Sequence, residues 1–173
     1  GWYDAPPFHF EAWRDVTFAV QQRDMEIGFE ANIIENHDEP RGASRYLPAY
    51  ARNDAGKKML ATTSILLRGI PFIYQGQEIG MTNCVRSDIS EYNDISTIDQ
   101  FQVALAAGCS KEEALNACNE NSRDNARAPM QWDATPHAGF TTGNPWLLEN
   151  SNYAYINVAA QKEDADSVLS YYK

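Results

Sequence analysis

Two short apolar runs, "IGFEANIIEN" (residues 27–36) and "IPFIYQGQEIG" (residues 70–80), most constrain the fold, because each stops abruptly at polar residues and a helical pattern lies between them. In the first run Ile27, Phe29, Ala31 and Ile33 alternate and Ile34 closes the series, as in a largely buried strand. Before it, Trp13, Val16, Thr17 and Val20 in "FEAWRDVTFAVQQ" recur at i, i+3, i+4 and i+7, one face of a helix. Between the runs, "NDAGKKMLATTSILLRG" offers Asn53 or Asp54 as N-cap, Met59, Leu60, Ile65, Leu66 and Leu67 on a helical repeat, and Gly69 as a stop. Strands joined through a helix are parallel neighbours, so the fold class is α/β.

The pattern loosens from Thr82 to Gln131, although "SKEEALNACN" carries a capping box in which Ser110 and Glu113 satisfy each other's amides. At the end, "DSVLSYYK" places Val168, Leu169 and Tyr172 on one helical face and stops after one turn. The opening "GWYDAPPF" lacks an initiating Met, which reads as a tag, a processed end or a segment of something longer.

Composition excludes several function classes. The formal charge of −10 leaves no clustered Lys and Arg for a phosphate backbone, so a nucleic-acid partner is not expected and an uncharged substrate fits better. Neither a membrane-length apolar run nor a signal-peptide pattern is present, and the expected location is the cytoplasm. Cys84, Cys109 and Cys118 have neither CxxC spacing nor a nearby histidine, which reads as reduced thiols without a zinc site. No phosphate-binding glycine loop occurs, and no metal or cofactor is expected.

Candidate chemistry gathers at "NHDEPR", just past the first apolar run. In parallel α/β folds ligands bind beyond the carboxyl ends of strands, where His37 and Asp38 would sit. A turn-capping Asp38 beside a structural His37 is the plainer alternative. A second cluster, "SRDNARAPMQWD", brings Arg123, Asp124, Asn125 and Arg127 together, as ordinary salt bridges or as a fork for sugar hydroxyls. In "YQGQEIGM", Gln75, Gln77 and Glu78 either meet a ligand or satisfy a turn allowed by Gly76 and Gly80.

Taken together, "ENHDEPRGASRY", "KKMLATTSILLRGIPFIYQGQEIGMTN" and "SRDNARAPMQWDATPHAGFTTGNPW" resemble the α-amylase superfamily of glycoside hydrolases, in its oligo-1,6-glucosidase and α-glucosidase branch. The resemblance implies a partial (β/α)8 TIM barrel, with residues 1–173 as its C-terminal portion. "EIGFEANIIEN" then resembles strand seven, Asp54 to Arg68 helix seven, "PFIYQ" strand eight and "DSVLSYYK" the start of helix eight, with a long insertion from Thr82 to Trp146. It implies retaining hydrolysis of α-1,6- or α-1,4-glucosidic bonds in a small oligosaccharide or glucoside, by a nucleophile and an acid/base on earlier strands. Neither of their motifs occurs here, so the isolated chain is expected to be inactive, its partner being the remainder of the barrel.

By the same resemblance Asp38 and His37 are the catalytic-site residues, gripping hydroxyls of the glucose at the cleavage point. Arg123, Arg41 and Glu78 bind substrate, and Arg123 takes its acid partner from outside the chain. "DEPR" departs from the family's usual "DQPR", "QGQEIG" from "QGEEIG", and Ser96 stands where relatives often carry a glutamate. Trehalose-phosphate hydrolase and sucrose isomerase are alternatives within the branch. A noncatalytic amylase-like sugar-binding or scaffold module is the alternative outside it.

Overall fold

The computed structural model describes residues 1–173. A 14-residue helix, α1 (Phe10–Arg23), leads to strand β1 (Ala31–Ile33), the short helix α2 (Gly42–Tyr46), helix α3 (Asp54–Leu66) and strand β2 (Ile70–Phe72). The two strands pair in parallel, with Ala31 opposite Ile70, Asn32 opposite Pro71 and Ile33 opposite Phe72. The α/β reading holds, since α3 is the crossover that a parallel pair requires. Asn53 caps it, its side chain accepting from the Gly56 amide at 3.1 Å.

β1 begins later than the alternation predicts. The Gly28 amide donates to the Asp24 carbonyl at 3.1 Å, keeping residues 24–28 in a turn after α1 and leaving Ile27 exposed. Arg68 Nη1 donates to the same carbonyl at 3.0 Å and ties this turn to the far end of the crossover. Helix α3 ends at Leu66, and Gly69 follows at φ 150°, where a Cβ would lie 2.5 Å from the Glu30 carbonyl oxygen. That close approach is what glycine permits before β2.

Little of the core surrounds this sheet. No residue of β2 is buried, and α1 buries none either. The expected apolar face of α1, Trp13, Val16, Thr17 and Val20, instead lines an open cavity of about 420 Å³ together with Ile33, Ile34, Met59 and Leu60.

The packed cores lie in the segment that the sequence left loosest. Helices α4 (Ile95–Ala106) and α5 (Lys111–Asn121) enclose Tyr92, Phe101, Ala104, Ala114 and Cys118. The Ser110–Glu113 capping box opens α5. After the single turn α6 (Asp124–Arg127), helices α7 (Val158–Lys162) and α8 (Val168–Tyr172) return to cover Ile79, Met81 and Met130. All three cysteines are unpaired, and burial pushes the Cys84 and Cys118 thiols up, Cys118 to about 11. No helix is long and apolar enough to cross a membrane.

Candidate active site

The loop leaving β1 is built around Arg41. Its side chain is fully buried, donating from Nη1 to Glu35 Oε2 at 3.1 Å and to the Gln75 carbonyl at 2.7 Å. Nε and Nη2 reach the carbonyls of Asn125 and Ala126 in α6, each at 3.3 Å. One guanidinium therefore joins the ends of both strands to α6, using its planar spread of donors. Burial pushes the Glu35 carboxyl up, opposed by Arg41 and by the Gly42 amide. Gly76, at φ 89°, leaves the space that this arrangement needs, since a Cβ there would lie 3.0 Å from Arg41 Nη1 and 2.4 Å from the Met81 sulfur.

This placement corrects the expectation that Arg41 binds substrate. Every direction of its fork is taken by protein groups, and its side chain has no exposed surface. Glu78 Oε2 accepts the Gly76 amide at 2.7 Å, closing the turn after β2, which is the turn role the sequence also allowed.

His37, Asp38 and Arg123 do come together. Asp38 follows β1 in an Asx turn, its amide donating to Asn36 Oδ1 at 2.7 Å. Its carboxylate Oδ2 lies 3.2 Å from His37 Nε2, while Oδ1 accepts from Arg127 Nη2 at 2.9 Å and from Arg123 Nη1 at 3.4 Å. Arg127 Nε also donates to the His37 carbonyl at 2.9 Å, so side chain and backbone are held from the same face. Both His37 and Asp38 remain largely open to solvent.

Arg127, expected only as a member of the second polar cluster, and Asp94, which the sequence did not single out, complete the site. Arg127 is the nearer of the two arginines to Asp38. Asp94, almost wholly buried as the N-cap of α4, receives Arg123 Nε at 3.1 Å on Oδ2 and Arg123 Nη2 on Oδ1. Thr97 Oγ1 donates to Asp94 Oδ2 at 3.1 Å, and the buried Asp124 Oδ2 accepts the amides of Asn93 and Asp94 at 2.7 and 2.9 Å. Arg123 thus has an acid within the chain, Asp94, apart from the substrate-clamping acid expected from outside it. Burial works to raise the Asp94 carboxyl, but hydrogen bonds from Arg123 and Thr97 outweigh it and hold the group below the ordinary carboxylate range.

Asp38 and Arg123 open onto a cleft of about 1210 Å³. Trp2, Tyr3 and Phe8 supply aromatic faces to it, and Ser96, Asn116 and Asn121 supply uncharged polar groups. Its carboxylates, Asp38, Glu39, Glu113 and Glu120, outnumber its cations, Arg45 and Arg123, and both cations are already paired, with Glu39 and with Asp94 and Asp38. No three His, Cys, Asp or Glu side chains gather closely enough to hold a metal ion.

Residues 2–173 match the model of the alpha amylase catalytic domain. The chain belongs to the alpha-amylase family. Members of this glycoside hydrolase family, family 13, carry a (β/α)8 barrel, of which a parallel β-α-β unit is the repeating element. This alpha-amylase family chain is 39% identical over 173 residues to an oligo-1,6-glucosidase of Halalkalibacterium halodurans, covering 100% of the chain and 31% of that protein. It is 41% identical over 169 residues to a trehalose-6-phosphate hydrolase of Bacillus subtilis, covering 96% of the chain and 30% of that protein.

Among solved structures, the trehalose-6-phosphate hydrolase of Bacillus licheniformis superposes with a TM-score of 0.91 at 36% identity, covering 98% of the chain and 31% of that structure. A mutant isomaltulose synthase of Erwinia rhapontici, in complex with sucrose, superposes with a TM-score of 0.88 at 37% identity over the same shares. The chain thus spans just under a third of the length of the relatives it matches.

Proposed function

We propose that this chain is the C-terminal portion of the catalytic barrel of a retaining α-glucosidase, contributing strands seven and eight and their helices. The enzyme hydrolyses α-1,6- or α-1,4-glucosidic bonds of short oligosaccharides in the cytoplasm, and the nucleophile and acid/base come from the rest of the barrel. The observation that carries this reading is the Asp38 carboxylate, set just past the end of β1 and aimed by two guanidiniums beside an open cleft. There it accepts hydroxyl groups of the glucose being cleaved, with His37 donating to the same region. Such bonds tighten as the ring gains oxocarbenium character, so they lower the barrier rather than only binding the ground state.

The charge of the cleft supports an unphosphorylated over a phosphorylated sugar. A phosphorylated sugar brings a dianion that needs unpaired cations, and the two guanidiniums here are engaged while four carboxylates face the same space. Aromatic faces with amide and hydroxyl groups fit an unphosphorylated sugar instead. A noncatalytic scaffold has no need of a carboxylate positioned in this way.

The test uses the intact enzyme that carries this chain. It should release glucose from isomaltose or maltose faster than from trehalose 6-phosphate, and Asp38→Asn should lower kcat/KM by about a thousandfold or more, as loss of a group acting mainly in the transition state does. Unchanged turnover in Asp38→Asn defeats the catalytic reading, and preference for the phosphorylated sugar defeats the substrate assignment alone.

A further inference from the structure

Arg123 has a job to do at Asp38, but its own direction is set from behind. A guanidinium on a long side chain has many rotamers, and an exposed pairing with a carboxylate at 3.4 Å is too weak to choose among them. The choice is made by Asp94. Its two oxygens take Nε and Nη2 of Arg123, the side-on fork that fixes a guanidinium plane, and this leaves only Nη1 to turn toward Asp38.

Asp94 is itself held with little freedom. Asp124 accepts its backbone amide, Thr97 donates to Oδ2, and the start of the 12-residue helix α4 favours a negative charge at this position. The second arginine of the cluster also feels it, with Arg127 Nη1 at 4.0 Å from Asp94 Oδ1. A buried carboxylate thus faces two guanidiniums, and both of these face the exposed carboxylate of Asp38.

We propose that Asp94 is the positioning residue of this site: by holding the Nε/Nη2 edge of Arg123 it keeps that double-donor edge off Asp38, whose carboxylate, held by Arg127 at 2.9 Å, stays free to meet the sugar. The inference rests on the glucosidase reading above. Without Asp94, Arg123 turns its stronger double-donor edge onto Asp38 and occupies the oxygens that should meet the substrate hydroxyls. Asp94 touches no substrate in this role, and its effect passes through Arg123.

The experiment is a double-mutant cycle in the intact enzyme with isomaltose as substrate, read alongside NMR of the arginine side-chain Nε–H groups. Asp94→Asn should lower kcat/KM at least tenfold, mostly in kcat. Adding it to Arg123→Ala should cost less than a further threefold, because the residue through which it acts is already gone. The Nε–H of Arg123 should exchange slowly in the wild type and rapidly in Asp94→Asn. Thr97→Val, nearly isosteric and away from the cleft, should lower kcat by about twofold to fivefold and keeps the test open if Asp94→Asn does not fold.

Additive losses in Asp94→Asn and Arg123→Ala, or a slowly exchanging Arg123 in Asp94→Asn, overturn the positioning role, and where Asp94→Asn does not fold, wild-type kcat with a slowly exchanging Arg123 in Thr97→Val overturns it. An inactive wild-type enzyme overturns the glucosidase reading instead, and the exchange measurement still decides whether Asp94 orders Arg123.

Discussion

Arg41 and Glu35 form an ion pair at 3.1 Å with side chains 0% and 3% exposed, and that pair joins the ends of the two strands to the arginine-bearing turn α6. Buried charges in this setting are costly to separate, because the partner left behind keeps its desolvation penalty without its compensation. Arg41→Met should therefore destabilise the protein by about 3–5 kcal/mol in denaturant titrations. It should also loosen the loop that carries His37 and Asp38. Arg41→Lys should recover little of this, since one ammonium cannot meet Glu35, Gln75, Asn125 and Ala126 at once. A stability loss under about 1 kcal/mol for Arg41→Met would show that the pair does not hold the loops together.

The depressed Asp94 carboxyl makes a pH prediction whose sign follows from linkage. A carboxyl held below its unfolded-state value binds fewer protons when folded, so its contribution is complete above the unfolded value and is lost as pH falls through the folded one. The difference in stability between wild type and Asp94→Asn should be flat from neutral pH down to about pH 4, the ordinary range of an unfolded aspartate, and shrink below it. Unfolding midpoints measured across pH 2 to 7 decide the matter, and a difference that instead grew on acidification would contradict the assignment of Arg123 as its dominant partner.

How far the site was legible follows from where its partners lie in sequence. Asn53 and the Ser110–Glu113 box cap their helices within three residues, so short-range chemistry was enough to find them, and the place of His37 and Asp38 beyond β1 was likewise legible from the local apolar pattern. Asp94 lies 29 residues from Arg123, and helix α4 presents Thr97, Phe101 and Ala104 to the core, a stripe whose hydroxyl and single methyl conceal its periodicity. Arg41 misled in the opposite way. A charged residue is expected at the surface, and nothing in "DEPRG" announces that four separate groups converge on it from both strand ends and from α6. The strand itself came out shorter than its alternation because the turn at residues 24–28 takes Ile27 out of the pattern.

Thiol reactivity offers a site-resolved check on the second half of the chain. Cys84 and Cys118 are buried and their thiols are pushed up by that burial, whereas Cys109 is partly exposed after α4. Because the thiolate is the reactive form, alkylation at pH 8 followed by mass spectrometry should label Cys109 at least ten times faster than the other two. All three should react alike in denaturant. Rapid native labelling of Cys118 would mean that α4 and α5 do not pack as described.

The last prediction concerns the exposed apolar faces around the sheet. Ile33, Ile70 and Phe72 are each about half exposed, and α1 stands off from β1 across the open cavity lined by Trp13, Val16 and Val20. A two-stranded parallel sheet with open edges on both sides has too little burial to be stable alone, and such edges recruit other chains. Residues 1–173 produced by themselves should release no glucose from isomaltose, bind a hydrophobic dye and sediment as more than a monomer. Substituting Lys for Ile70 and Phe72, whose side chains are exposed here, should reduce the association in the isolated chain. In the proposed intact enzyme the same substitutions should cost several kcal/mol, because the barrel of that proposal would cover those faces and a buried unpaired charge is expensive. A monomeric chain with no dye binding, or an intact enzyme indifferent to both lysines, would mean that the sheet faces solvent rather than further strands and helices.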